Sequence, residues 1–255
     1  MKNFWLSVFT VLALCILQSQ ASPDSLLEKG RAAYQNGNYA SAIQFYREYQ
    51  HWATRVGNQS AEANALRLIG DAFRASNELE QAVSQLNLAN EIASQAQDSA
   101  LIGRIYNRLS AVYFEMQDNQ QSQQFAQNAI AISQAKGDQG NVSNSLNILG
   151  AVHRSNGQYT AALEALQQSV KIQEAIGDTE DIPNALNNIA NTLLSLERYK
   201  EAIDVAKESY EMSVKNDIPV YMSFAAHVLT DIYRRTKDFE NALFWNDKMG
   251  EVDQR

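Results

Sequence analysis

The chain repeats one pattern of residues every forty positions. Residues 144–163 read NSLNILGAVHRSNGQYTAAL and residues 184–203 read NALNNIANTLLSLERYKEAI, with apolar, small and aromatic residues in the same slots. Stepping by forty from Ala162 in both directions gives only small residues, namely Ala42, Ala82, Ser122, Ala162, Ala202 and Ala242. Six copies in register predict an array of similar structural units, because each unit covers the apolar face of its neighbour.

Two further series accompany the first. Twelve residues earlier stand Gly30, Gly70, Ser110, Gly150, Ala190 and Thr230, and three residues earlier stand Tyr39, Leu79, Asn119, Tyr159, Tyr199 and Phe239. A small residue lets a neighbouring helix approach closely, and a large residue at the turn can fill the wedge between two helices. The pattern therefore predicts a close helix crossing in every copy.

Each copy divides into two amphipathic stretches, such as 143–156 and 159–175, with a break at Asn156–Gly157. Between copies a glycine that can end a helix precedes a residue that can cap the next one, at Gly57–Asn58, Gly137–Asp138 and Gly177–Asp178. Pro183 stands where a proline in the first turn is tolerated. The unit predicted is an antiparallel helix hairpin.

Composition agrees with an all-α, soluble protein. The 255 residues include only 3 prolines and 11 glycines, and the formal net charge is -8. An acidic chain is a poor general binder of nucleic acid or of anionic membranes, since both need a basic face. We therefore expect no nucleic-acid partner.

The register of Leu146, Leu149, Gly150, Tyr159, Ala162 and Leu166 resembles the tetratricopeptide repeat, and the forty-residue period resembles its longer variant. The resemblance covers residues 24 to about 250. It implies a right-handed superhelical solenoid of about six antiparallel hairpins, whose first helices line a concave groove that holds peptides or extended protein segments. Four residues depart from the pattern: Lys29, Asn119, Ser122 and His153.

The predicted domains are a signal peptide over 1–21 and a solenoid over 22–255. The approximate repeats are 23–62, 63–102, 103–142, 143–182, 183–222 and 223–255. Lys2 precedes an apolar run over 4–17, and Ser19 and Ala21 are the small residues that signal peptidase accepts before a cut after Ala21. We expect an exported protein, periplasmic or extracellular, of bacterial type.

Two alternatives to cleavage after Ala21 stay open. A retained membrane anchor would need about 20 apolar residues to span a bilayer, and this run is shorter. A lipoprotein box over 12–15 would end at Cys15, but Leu14 stands where such boxes have a small residue. Cys15 is the single cysteine, so cleavage after Ala21 leaves no thiol for a disulfide or a zinc site.

The groove residues are predicted from helix periodicity. In each first helix, five positions lie opposite the residues that face the second helix. The candidate peptide-binding residues at these positions are Asn64, Arg67, Arg74, Arg104, Asn107, Asn144, Asn147, Arg154, Asn184, Asn187, Asn191, His227, Arg234 and Arg235.

Asparagine suits such a groove because its amide both donates and accepts hydrogen bonds and can pair with a peptide backbone. Asn107, Asn147 and Asn187, one per hairpin, would form a ladder; the alternative is an ordinary solvated surface. The first helices of copies two to six contain seven arginines against three acidic residues, a net charge of +4. Because arginine pairs well with carboxylates, an acidic segment or a free C-terminus is a plausible ligand, unless the arginines are merely solvated.

No catalytic residue, metal site or cofactor is predicted. His51, His153 and His227 have no companion at metal-ligand spacing, and no HExxH, GxSxG or phosphate-binding glycine loop occurs. His153 falls on the packing face of its helix and is interpreted as a core histidine. We therefore expect a binding protein and not an enzyme.

Two functions fit these observations. The first is an exported adaptor that binds a peptide or protein in its groove. The second is an extracytoplasmic sensory module of the kind found before histidine kinases or diguanylate cyclases.

The last hairpin also has apolar residues with no following repeat to cover them, including Leu243, Phe244, Trp245, Met249 and Val252. They predict contact with a partner, a second copy or a further segment; the alternative is a frayed end.

Overall fold

The computed structural model describes residues 22–253, and these form twelve α-helices and no β-strand. The helices are α1 Pro23–Gln35, α2 Tyr39–Arg55, α3 Gln59–Ala75, α4 Leu79–Gln95, α5 Ser99–Glu115, α6 Asn119–Lys136, α7 Gln139–Ser155, α8 Tyr159–Ile176, α9 Ile182–Ser195, α10 Tyr199–Lys215, α11 Pro219–Arg235 and α12 Phe239–Asp253. The all-α prediction is confirmed. The predicted signal peptide and Cys15 lie outside the described residues.

The described residues divide into two compact units, one up to Leu101 and one from Ile102 onward. In the first unit, α1 pairs with α2 and α3 with α4. In the second unit, α6 follows α5, and the pairs α7–α8, α9–α10 and α11–α12 are complete hairpins. The hairpins begin about four residues before the predicted repeat boundaries at 63, 103 and 143, because each helix starts next to its capping residue and not at its first buried one.

Helix caps explain where most first helices begin. The Asn58 side chain accepts a hydrogen bond from the backbone N–H of Ala61 at 3.0 Å, and Asp138 accepts one from Asn141 at 3.1 Å. Gly137, with φ of 70°, ends α6 in the left-handed conformation that glycine adopts without strain. These two predicted caps are confirmed.

The third predicted cap, Asp178, is wrong. Helix α9 begins at Ile182, with Asp181 as its N-cap and Pro183 in its first turn. A helix that began at Thr179 would place Pro183 at its fifth residue, where the missing N–H would break a helical hydrogen bond. The proline therefore delays the helix by three residues, and its predicted place in a first turn is confirmed.

Close helix crossings occur where the small residues predict them. Ala42, Ala82, Ala162 and Ala202 are fully buried. In the third copy the same crossing is formed by two serines. Ser110 Oγ donates to the Ser122 carbonyl at 2.9 Å, and Ser122 Oγ donates to the Ser110 carbonyl at 2.8 Å. Ser122 departs from the pattern of apolar residues, but two buried hydrogen bonds hold α5 and α6 close together at this position.

The other departures also have local explanations. His153 is half-buried, and its Nδ1 lies 2.6 Å from Oε1 of Gln158 across the turn. Lys29 is exposed, with its Nζ 6.0 Å from the centre of the Phe45 ring. Asn119 donates to Ser155 Oγ at 2.9 Å and to the Asn156 side chain at 2.8 Å.

None of the helices over 22–253 combines the length and apolar character that a membrane crossing needs.

Candidate functional site

The first helices of the second unit pack on one another as well as on their own second helices. Helix α9 contacts both α7 and α11, and a side-chain hydrogen bond joins α5 to α7. The face turned away from the second helix is therefore partly covered by the neighbouring hairpins. Asn107, Asn147 and Asn187 are only 1%, 6% and 4% exposed, so the expectation that these three lie on an open surface is wrong.

Each of these three asparagines joins one hairpin to the next. Asn107 Nδ2 donates to Ser145 Oγ at 2.9 Å, which ties α5 to α7. Asn147 Oδ1 accepts from Asn188 Nδ2 at 2.8 Å, which ties α7 to α9. Asn187 Nδ2 donates to the Tyr221 carbonyl at 3.2 Å, which ties α9 to α11.

The one-per-hairpin spacing of these asparagines thus serves packing between repeats. The Asn187 side chain keeps one free acceptor, because its Oδ1 is enclosed without a hydrogen-bond partner among the described residues. Asn191, one turn further along α9, donates back to the Asn187 carbonyl at 3.0 Å. Their use in peptide binding stays a prediction.

The remaining candidates in the second unit keep some exposed surface. Those that are half-buried are Asn144, Arg154, Asn184 and Asn191, and those that are exposed are Arg104, His227, Arg234 and Arg235. We call the row Asn144, Arg154, Asn184 and Asn191 on α7 and α9 the first-helix strip. Within residues 22–253, neither Asn144 nor Asn184 makes a side-chain hydrogen bond, so both amides can meet a ligand.

In the first unit the candidates Asn64, Arg67 and Arg74 lie on α3 and are half-buried. Arg67 donates to Asn64 Oδ1 at 3.0 Å and to Asp71 Oδ2 at 2.8 Å. Arg67 and Asp71 are 15% and 14% exposed, so this charge is already neutralised by an acid one turn away. The pair therefore stabilises α3 and leaves little charge for a ligand.

An ion pair also reduces the predicted basic character of the second unit, since Arg104 Nε lies 3.0 Å from Asp138 Oδ2. His227 Nε2 lies 3.6 Å from Asp231 Oδ2. Arg154 differs, since its Nε is enclosed and no described residue accepts a hydrogen bond from it. Burial lowers the pKa of Arg154, and Tyr159 is the neighbour that partly offsets this.

An acidic group lies at the start of α9, where sequence reasoning did not place a site. Tyr221 donates to Asp181 Oδ1 at 3.3 Å. Burial raises the pKa of Asp181, Asp178 adds to the rise, and the Tyr221 hydrogen bond and Arg108 oppose it. Burial, together with Asp181, raises the pKa of Tyr221 to about 12. The sequence signal missed was Pro183, which brings Asp181 to the helix start.

The last hairpin exposes a large apolar surface. Phe239 and Leu243 are 68% and 62% exposed, and Phe244 is 51% exposed. We call these three residues the α12 edge. Trp245 and Val252 are buried instead, and the Trp245 ring meets Tyr210 edge-on at 5.0 Å.

A small cavity lies between the start of α11 and the end of α12. Its volume is about 270 Å³, and it is lined by Pro219, Val220, Ser223, Phe224 and Val252. No group of three or more His, Cys, Asp or Glu side chains in residues 22–253 is arranged to hold a metal ion.

Comparisons with known proteins agree with the hairpin architecture. The sequence model of the tetratricopeptide repeat matches residues 101–175 and 141–215, and a second model of the same repeat matches residues 16–55. Comparison with curated protein sequences gives no significant match.

Solved structures show the same fold at low identity. The apo form of RapI is 12% identical with a TM-score of 0.76, over 98% of this chain and 90% of that one. A Rap protein complexed with Competence and Sporulation Factor is 15% identical with a TM-score of 0.73, over 91% and 64%. BtubC from P. vanneervenii is 15% identical with a TM-score of 0.66, over 90% and 91%. With both repeat models and the hairpin geometry in agreement, this chain is built of tetratricopeptide repeats.

Proposed function

We propose that the chain is a non-catalytic scaffold that binds a peptide or an extended protein segment along the first-helix strip of its second unit. The observation that carries the proposal is the pair Asn144 and Asn184, which occupy equivalent positions on neighbouring first helices. Both are half-buried, and their amides lack partners within the described chain. The Rap protein of similar fold was solved in complex with Competence and Sporulation Factor, so this architecture can carry a bound partner.

The spacing of the strip fits an extended ligand. Packed helices lie about 8–10 Å apart, and an extended chain advances about 3.3 Å per residue. Neighbouring first helices can therefore contact every third residue of a bound segment. Asparagine amides at this spacing would pair with backbone groups, which gives affinity with little dependence on sequence.

Affinity capture followed by titration tests the proposal. The full chain is immobilised, retained peptides are identified by mass spectrometry, and the best one is titrated by fluorescence anisotropy. We expect Asn144→Ala with Asn184→Ala to weaken binding, at about 0.5–1.5 kcal/mol for each lost hydrogen bond. Gln167→Ala, at an exposed position of α8, is the control. Unchanged affinity in the folded double variant would move attention to the α12 edge.

We further propose that the protein is exported and begins at Ser22. The support is sequence alone, namely the apolar run over 4–17 and the small residues Ser19 and Ala21. Mass analysis of material outside the cytoplasm should show the loss of residues 1–21. An intact N-terminus or a lipid on Cys15 would contradict cleavage after Ala21.

The second candidate function is a sensory module of a bacterial signalling system of histidine kinase or diguanylate cyclase type. The α12 edge favours it, because an exposed apolar helix face suits contact with a further element. Sequencing the gene past the codon for Arg255 tests it. A reading frame that continues into a membrane helix and a catalytic domain would favour the sensor over the free adaptor.

For the free adaptor we also propose that the α12 edge binds the same edge of a second copy, in place of the further element that a sensory module would supply. The residues forty positions before Phe239 and Leu243 are Tyr199 and Ile203, which pack partly buried against the core of the second unit. The exposed face of α1 is charged, with Asp24, Glu28, Lys29 and Arg31, so it offers no apolar surface for a head-to-tail stack. Pairing of two identical edges would cover the apolar residues of both copies.

A further inference from the structure

The last hairpin has an open apolar cavity at the end away from its turn. This cavity, of about 270 Å³, lies between the start of α11 and the end of α12, and its lining includes Val220, Ser223, Phe224 and Val252. We call it the end cavity. Val220 and Phe224 are 54% and 53% exposed, so apolar surface at the end cavity is open to solvent. Exposed apolar surface of this kind marks a binding site for another element.

The third copy shows what occupies the equivalent place. There, the positions of Ser223 and Val252 are taken by Gly103 and Ile132. A Cβ atom built on Gly103 would lie 3.2 Å from Ile132 Cγ2 and 3.7 Å from Asn141 Nδ2. Asn141 is in the first turn of α7, which is the next first helix. A side chain from the first turn of a neighbouring helix therefore fills this place in the third copy.

The end cavity suits an apolar side chain, since most of its lining is apolar. The chain carries such a side chain at the start of a helix, because Phe239 is the first residue of α12 and is 68% exposed. Phe239 stands 13 positions before Val252, which is about 20 Å along the helix axis. The last hairpin thus has a projecting aromatic ring at one end and an open cavity at the other.

The face of α12 between these two ends can accept a second helix. Phe239, Leu243 and Gly250 lie on one face, because 3.6 residues make one turn. Leu243 is 62% exposed, and a Cβ atom built on Gly250 would have no atom of the described chain within 4 Å. Glycine inside a helix is less favourable than alanine, and no described residue crowds this position. A small residue on an exposed face allows another helix to approach closely.

We infer that two copies of the chain pair through antiparallel α12 helices, with Phe239 of each copy inserted into the end cavity of the other. This inference rests on the proposed pairing of α12 edges and specifies its geometry. A two-fold axis across the middle of α12 brings each ring to the other copy's cavity, so both cavities are filled at once. A parallel pair would set ring beside ring and leave both cavities open.

Gly250→Leu distinguishes this close packing from a looser apolar contact. Sedimentation velocity of the full chain over a range of concentrations gives the dissociation constant of the pair. Leucine adds apolar surface, so edges that associate through apolar area alone would bind more tightly. In the antiparallel pair the leucine stands where the second α12 passes, so the dissociation constant should rise at least about tenfold. Gln167→Leu adds the same side chain at an exposed position of α8 and should leave the constant unchanged.

Phe239→Ala tests the inserted ring. Loss of a buried aromatic anchor should raise the dissociation constant at least about tenfold. Ile176→Ala, which removes a 45% exposed apolar side chain from the end of α8, is the control and should have no effect. Circular dichroism confirms that both variants are folded, which their exposed positions favour.

Cross-linking tests the direction of the two helices without changing the contact itself. Glu240 and Glu251 are exposed on the same side of α12, and the antiparallel pair places Glu240 of one copy beside Glu251 of the other. Two proteins, Glu240→Cys and Glu251→Cys, are prepared with Cys15→Ser and treated with a short thiol-specific linker. We expect a covalent dimer when they are mixed and little from either one alone, since like positions lie on different levels of the pair.

Each contrary result has its own meaning. A wild type that stays monomeric would refute the pairing of edges and the inference together, and would assign the open face to a further element or another protein. Tighter association of Gly250→Leu, or unchanged association of Phe239→Ala, would keep the pairing of edges and refute the inserted ring. A covalent dimer formed by Glu240→Cys alone would show that the helices are parallel, which also contradicts the inference.

Discussion

Gly150 of α7 lies directly against Leu166 of α8. A Cβ atom built on Gly150 would come within 2.5 Å of Leu166 Cγ and within 3.2 Å of the carbonyl oxygen of Ala162. The two helices therefore approach as closely as their backbones allow, and the position leaves no room for a side chain.

Gly150→Ala should destabilise the protein although alanine favours helices. The clash with Leu166 should outweigh the helix preference and cost about 1–3 kcal/mol, as overpacked cores do. Gly140→Ala on the same helix is the matched control, because its Cβ would meet only an Asp138 oxygen at 3.9 Å. That variant should be neutral or more stable by up to about 1 kcal/mol. Equal effects of the two, measured by urea denaturation, would show that the crossing is looser than described.

Asn107→Ala should destabilise the second unit. It removes the buried hydrogen bond from Asn107 Nδ2 to Ser145 Oγ at 2.9 Å and leaves a void, at a cost of about 1–3 kcal/mol. Gln167→Ala, at an exposed site, should stay within about 0.5 kcal/mol of the wild type. Thermal unfolding followed by circular dichroism measures both. A loss for Asn107→Ala no larger than that for Gln167→Ala would contradict a role of this hydrogen bond in packing.

Asp181→Asn should stabilise the protein at pH 7. Burial raises the pKa of Asp181, and Asp178 adds to the rise, so the folded state disfavours its charged form. Because this pKa is higher in the folded protein than in the unfolded chain, the neutral carboxyl contributes stability at low pH. That contribution is lost as the pH rises through the pKa of the folded state. Asparagine avoids this loss and can still accept the hydrogen bond of Tyr221.

The pH dependence of that effect is its check. The advantage of Asp181→Asn should shrink as the pH falls below the ordinary pKa of aspartate, where the wild-type carboxyl is neutral in both states. Glu180→Gln, at the exposed neighbouring position, should show a smaller change at pH 7. An advantage for Asp181→Asn that persists unchanged at low pH would point to packing and not to charge.

Two aspartates forty residues apart should behave differently. Asp138→Ala removes the cap on Asn141 N and the ion pair with Arg104, at a cost of about 0.5–2 kcal/mol. Asp178→Ala removes no cap, and it removes a negative charge that disfavours ionisation of Asp181. The free energy of unfolding should therefore stay the same or rise. Denaturant titrations of both variants give the comparison, and a large loss for Asp178→Ala would contradict the observed start of α9.

Leu243→Lys should weaken self-association through the α12 edge. Leu243 is 62% exposed, so the lysine can be solvated in the monomer but would be buried in the pair. Sedimentation velocity over a range of concentrations measures the change, with Gln167→Lys as the surface control. A wild type that stays monomeric throughout would refute the pairing of edges.

Sequence determined the hairpins because their signals are local. The small residues of the Ala162 series, the glycine stops and the caps at Asn58 and Asp138 act within one or two helical turns, and each is found where the repeat places it. Pro183 also acted locally, and its effect on the start of α9 could have been predicted by counting helical positions from Thr179.

Tertiary structure decided which polar residues remain open to a ligand. Helical periodicity assigns one face of each first helix to its own second helix, but it does not say that neighbouring first helices cover part of the opposite face. Asn107, Asn147 and Asn187 are buried for that reason, whereas Asn144 and Asn184, three residues earlier, keep exposed surface. Packing between hairpins also pairs Arg104 with Asp138 and leaves Arg154 Nε without an acceptor, since these contacts depend on which side chains meet in space. The Arg67–Asp71 pair lies within one turn of α3 and follows from spacing along the chain.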